Sequence, residues 1–212
     1  MKAFSLLLGI LALGGLWLGP LPAMTRHSFA AHMALHMGVV AIAAPLLAFG
    51  VAGGAADPVR RAPRWFPPIP LSILELVVVW AWHAPALHRA ARHAAFGLVA
   101  EQATFLLAGL AVWLSAVGGG PARRAERTGA GLVALLLTSM HMTLLGALLA
   151  LTPRALYAHE AHAATGLSPL EDQHLGGAVM LVVGGASYLA GGLWLAARLV
   201  RGRNPRRQEA GA

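Results

Sequence analysis

The residues able to do chemistry begin with "AAHMALHMG", residues 30–38, where His32 and His36 stand four apart inside a long apolar run. On a helix, positions i and i+4 share a face, so these two side chains are close enough to hold one ion. Neutral imidazole is a common metal ligand and suits copper, zinc and iron. His83 and His141 lie in other apolar runs and offer further imidazoles. Met33 follows His32, Met37 follows His36, and Met140 and Met142 bracket His141. Thioether favours Cu(I) over zinc or magnesium, and the chain has no cysteine to compete. Adjacent helix positions point about 100° apart, so a methionine beside a histidine need not face the same ion. A lone intramembrane histidine would be read as an interhelical hydrogen bond, and methionine alone as a filler of apolar cores. The i,i+4 pair, with partners on other segments, favours the metal reading.

Carboxylates extend the set. Glu101 sits about two turns into its apolar run, where it could orient a ligand histidine by accepting from the second ring nitrogen. Bonding to donors on neighbouring helices explains it equally well. Glu75 lies toward the opposite end of its own run. "LSPLEDQHLGG" (167–177) places Asp172, Gln173 and His174 at the start of the last run. Asp172 there suits an N-cap and the helix dipole, but that leaves Gln173 and His174 unexplained. Gly177, Gly184 and Gly191, seven apart, read as a close-packing seam.

The elements that must position these residues follow from composition. Of 212 residues, 58% are hydrophobic and 11% charged, with a mean hydropathy of +0.66. A soluble domain carries about a quarter of its residues as charges. Apolar runs fall at about 3–20, 28–50, 71–91, 95–117, 129–152 and 176–200, each long enough for a transmembrane helix. Hydrocarbon requires the backbone to satisfy itself, which makes such runs helices. The expected fold is all-α: a polytopic membrane helix bundle of about six transmembrane helices, one domain over 1–200 with a polar tail over 201–212. The first run, 3–20, resembles a signal peptide, but "PLPAM" puts Pro22 where cleavage prefers a small residue, so a retained helix is expected.

Lys and Arg placement sets the orientation. With the N-terminus inside, twelve lie on the cytoplasmic side and four (Arg26, Arg89, Arg92 and Arg154) outside. Both termini are therefore expected in the cytoplasm, with every histidine at mid-membrane or beyond. The net charge of +8 then reflects arginines facing anionic membrane lipid rather than nucleic acid. No Walker loop, dinucleotide fingerprint, nucleophile elbow or HExxH is present, which argues against an enzyme.

Four blocks, taken in order, resemble the CtaG/caa3-type cytochrome c oxidase assembly factor family over about residues 24–200. They are "HMALHMGVVAIAAPLLAFG" (32–50), "VVVWAWHAPALHRAARHAAFGLVAEQATFLLAGLAVWL" (77–114), "MHMTLLGALLALTPRALY" (140–157) and "LSPLEDQHLGGAVMLVVGG" (167–185). Glu101 stands where that family often has a histidine. The resemblance implies a multi-pass protein of the inner (plasma) membrane that helps mature a haem-copper oxidase by handling copper. Its partners would be an oxidase subunit or another copper chaperone. On this reading His32 and His36 are the primary ligands and His83 and His141 complete the shell. Met33, Met37 and Met142 are soft auxiliaries, Glu101 is a supporting acceptor, and Asp172 with His174 guards the outer entrance. The alternative is a b-type haem or quinone redox protein with His36 and His141 as axial ligands. A copper transporter is disfavoured, because no histidine falls on the cytoplasmic side.

Overall fold

The structure is a computed structural model that describes residues 1–93, 95–120, 124–157 and 166–202, and among these every regular element is a helix. They are α1 (Lys2–Leu18), α2 (Phe29–Val51), α3 (Pro68–His83), α4 (Pro85–His93), α5 (Ala95–Val117), α6 (Arg124–Leu151) and α7 (Pro169–Arg201). By length and apolarity α2, α5, α6 and α7 can each cross a membrane, and α3 with α4 passes the same test as a pair. At 17 residues α1 is a shorter apolar helix. It packs antiparallel along α2, where a Cβ on Gly38 would come within 2.5 Å of Leu16 and one on Gly50 within 2.7 Å of Leu6.

The run 71–91, expected as one span, is broken. The chain bends by 71° between α3 and α4. Pro85 causes the break: it supplies no amide hydrogen and excludes the helical region for the residue before it. Ala84 accordingly adopts φ −63°, ψ 128°. As a result α4 lies across the end of the bundle and carries His88 and Arg92 inward.

A second proline reshapes α2 without breaking it. Pro45 cannot donate to Ala41, and the preceding backbone widens into a π segment over Gly38–Ala43, where the Ala44 amide donates to Val39. The carbonyls released are recaptured by side chains. Ser187 Oγ donates to Ala41 O at 2.6 Å, and Trp113 Nε1 donates to Val40 O at 3.3 Å. These bonds bind α2 to α5 and α7 at mid-bundle.

The glycine seam on α7 packs as its spacing predicts. A Cβ on Gly177 would lie 2.5 Å from the backbone of Ala150 on α6, and one on Gly191 would lie 2.5 Å from the Trp113 ring. The antiparallel bundle sorts its histidines and most of its basic residues toward opposite ends. The described histidines lie between mid-bundle and one end, together with Arg26, Arg89, Arg92 and Arg154. Lys2, Arg60, Arg61, Arg64, Arg127, Arg198 and Arg201 mark the other. His159, His162, Arg123 and residues 203–212 lie outside the described residues.

Candidate metal centre

The helical register of α2 places His32 and His36 together, both fully buried, with ring centroids 6.3 Å apart. The face they share is met by the last turn of α3. The His83 ring lies 5.5 Å from that of His32 and 5.3 Å from that of His36. From the bent α4, His88 reaches within 4.8 Å of the His32 ring. Glu101 on α5 is fully buried and brings Oε2 to 3.6 Å from His32 Nδ1. Ligand atoms of His32, His88 and Glu101 lie within 4.8 Å of one another, close enough to share one ion. Phe105 covers the ring of His36 at 3.9 Å, and Phe29 stacks on Tyr157 at 4.2 Å beside His88, so aromatic rings wall the cluster.

The hydrogen-bond pattern sets these histidines apart from ordinary packing residues. Both ring nitrogens of His32, His36 and His141, and Nε2 of His83, are buried without a hydrogen-bond partner among the described residues. An interhelical hydrogen bond would have occupied one nitrogen of each. Each such orphan costs about 1–3 kcal/mol, and native interiors tolerate few of them without a reason. His83 supplies the clearest geometry, because its Nδ1 lies 2.6 Å from Val79 O. That bond places the proton on Nδ1 and leaves a lone pair on Nε2, the usual arrangement behind a ligating imidazole. Tyr157 OH donates to His83 O at 2.5 Å and ties the turn down. Burial raises the Tyr157 phenol's pKa, which keeps this donor protonated.

One charge pair accompanies the cluster. Arg92 donates to Glu101 Oε2, and Gln102 Nε2 reaches the same oxygen at 3.4 Å. The other oxygen of Glu101, and Nε and Nη1 of Arg92, have no partner. The guanidinium thus compensates the carboxylate at one atom and leaves an oxygen available. Beside His83 a cavity of about 620 Å³ opens, lined by Trp80, Leu144, Leu148, Thr152 and Tyr157.

The structure redistributes the remaining expected site residues. His141 is buried on α6 within electrostatic reach of His36, outside the tight group formed by His32, His88 and Glu101. The methionines face the other way. Gly184 packs against Met37 Sδ and the Met142 side chain, and Gly176 against Met33, so all three fill the contact of α2 and α6 with α7. The 100° step between neighbouring helix residues carries them off the histidine face. Met140 is 68% exposed on the lipid-facing side.

Asp172 is not the N-cap of α7. Ser168 takes that position in a capping box with Glu171, and Asp172 instead supports the cap of α2. Its oxygens accept from Ser28 Oγ at 2.7 Å, Phe29 N at 2.5 Å and Ala30 N at 3.3 Å. Ser28 is itself the N-cap, accepting from Ala31 N, so Asp172 completes the cap from across the bundle and holds the helix that carries His32 and His36. Gln173 Oε1 accepts from Leu156 N at 2.6 Å, and His174 Nε2 lies 2.9 Å from Thr152 O, so both secure the chain after α6. Asp172→Ala is expected to cost about 2 kcal/mol, the upper end for a lost cap, because three donors lose their acceptor. Exposed Glu171→Ala should cost less than half as much. Thermal unfolding of matched preparations checks this, and equal losses would remove the cross-helix cap from the account.

Sequence reasoning passed over His88 and Arg92 as site residues. The available signal was Pro85, which marks a break, followed by His88 and Arg92 four apart and hence on one face of the new helix. Glu75 belongs to a separate network at mid-bundle. Its Oε1 accepts from Tyr188 OH at 2.6 Å and its Oε2 from Thr138 Oγ1 at 3.1 Å, with Ser72 Oγ 2.9 Å beyond.

Fold and site together define an all-helical membrane protein whose apolar interior holds a buried histidine–carboxylate cluster at one end. No curated protein and no solved structure matches the chain. The family model described as cytochrome c oxidase caa3 assembly factor (Caa3_CtaG) matches residues 1–202. The chain belongs to that family.

Proposed function

We propose that this assembly factor binds copper as cargo in the cluster of His32, His36, His83, His88 and Glu101 and passes it to a subunit of the oxidase or to another chaperone. The observation that carries the reading is the set of buried ring nitrogens without partners among the described residues, on the adjacent rings of His32, His36 and His83, with the Glu101 carboxylate 3.6 Å from His32. Imidazole with one carboxylate suits copper, zinc or iron. With Met33, Met37 and Met142 packed against the glycines of α7, the argument for copper rests on the oxidase that the family serves. His141 stands behind His36 as a further donor. The reading assigns no catalysis to the protein.

The Lys and Arg asymmetry supports both termini in the cytoplasm of a cell with an inner membrane, with the cluster toward the outer face. Incoming copper would reach it past His83. A b-type haem on His36 and His141 is less well supported, because the cavity that opens here is lined by His83.

Metal analysis and an absorption spectrum test the proposal on protein purified from cells grown with and without copper. Copper should co-purify from the supplemented culture without a Soret band. Zinc or iron in its place, or a Soret band, would defeat the copper assignment.

A further inference from the structure

At the arginine end, a second cavity of about 310 Å³ lies between the start of α1, the turns after α2 and α5, and the last turns of α7. Lys2, Arg127 and Arg198 line it beside the backbone of Gly53 and Gly119, and no acidic side chain lines it among the described residues. The floor is built by Asp57, which lies behind it and is fully buried. Its Oδ2 accepts from Gly53 N and Gly119 N, each at 2.7 Å, and its Oδ1 accepts from Val59 N at 2.9 Å. One carboxylate thus fastens two separate turns together and is itself satisfied by backbone amides. The two glycines adopt φ 67° and 96°, a region that side chains rarely enter. The floor is therefore bare backbone.

The cations are held by weak or single contacts. Lys2 Nζ donates to Ala52 O at 2.6 Å and Arg127 Nη2 to Phe66 O at 3.3 Å, while Arg127 Nε is buried without a partner. That Nε lies 3.2 Å from the place a Cβ on Gly119 would occupy, so it faces the bare floor. The Arg198 guanidinium lies 4.7 Å over the Trp194 ring. Asp57 supplies one negative charge behind the floor against three cations, so the cavity retains a net attraction for an anion. The neighbouring wall is apolar: Phe49 meets Trp194 edge-on at 5.3 Å, and Trp194 is 40% exposed on the outside of the bundle. A ligand suited to both parts carries an anionic oxygen group and a hydrocarbon tail. We propose that this cavity binds the phosphate of an anionic phospholipid, with Lys2, Arg127 and Arg198 around the headgroup and an acyl chain along Phe49 and Trp194. Basic pockets between transmembrane helices are known to take such headgroups.

The test uses the full chain, purified in detergent and offered defined mixtures of phosphatidylglycerol and phosphatidylcholine, with retained lipid counted by native mass spectrometry. Phosphatidylglycerol should be retained in preference, and Lys2→Gln, Arg127→Gln and Arg198→Gln should each weaken retention about fivefold. Trp194→Ala should weaken it without altering the charge. Lys2 is exposed, so Lys2→Gln gives a readable result even if Arg127→Gln fails to fold. Equal retention of the two lipids by the unaltered protein would overturn the proposal. Displacement of the lipid by inorganic phosphate alone would assign the cavity to a soluble anion and overturn the lipid assignment.

Discussion

Substituting leucine for His36 should remove most of the copper retained by the purified protein, and adding His32→Leu should remove little more. In the proposed site the two rings hold one ion, and effects within a site are not additive. Even partners standing behind metal ligands change affinity 10–100-fold when lost, so loss of a ligand should weaken binding by about a hundredfold or more. Stability should move the other way. The ring nitrogens of His32 and His36 are buried without partners, and exchanging an unsatisfied polar group for an apolar one of similar size relieves a desolvation cost. The metal-free variants should therefore unfold no earlier than the metal-free parent. Two hydrogen-bonding packing histidines would behave differently, each substitution losing about 0.6 kcal/mol and the losses adding. Bound copper and thermal unfolding, read on the same preparations in a double-mutant cycle, distinguish the two. Additive stability losses with unchanged copper would remove "AAHMALHMG" from the site.

Arg92→Leu should be the most destabilising single substitution at the histidine end, costing about 3–5 kcal/mol, because it leaves Glu101 as an uncompensated buried charge. Glu101 has no exposed surface, and among the described residues Gln102 at 3.4 Å and His32 Nδ1 at 3.6 Å also lie close to its oxygens. Combining Arg92→Leu with Glu101→Gln removes both charges and should recover most of the loss. Copper retention separates the roles of the two residues. It should fall in Glu101→Gln, which removes the carboxylate from the cluster. In Arg92→Leu added copper should restore much of the lost stability, since a cation then replaces the guanidinium beside the carboxylate. An Arg92→Leu protein as stable as the parent, or a double variant no better than the single, would show that the pair does not act as a unit.

Membrane class, the approximate spans and the His32–His36 pairing followed from the chain alone, since each is a local property. Hydrocarbon dictates helix wherever an apolar run is long enough, and 3.6 residues per turn puts positions four apart on one face whatever surrounds them. The four family blocks were equally legible, because order and spacing along the chain carry them. The packing of helices decided the rest. Pro85 was visible as a break, but a 71° bend that returns His88 and Arg92 to the cluster depends on what α4 rests against. Met33, Met37 and Met142 adjoin histidines in the chain yet face the glycines of α7. Asp172 looked like a cap for its own helix and instead accepts from Ser28, the N-cap of α2, and from the first two amides of that helix, more than 140 residues away. Periodicity fixes which face of a helix a side chain occupies but not which neighbour that face meets. The neighbour is set by close approach at glycines and by recapture of freed carbonyls, and both are properties of the assembled bundle.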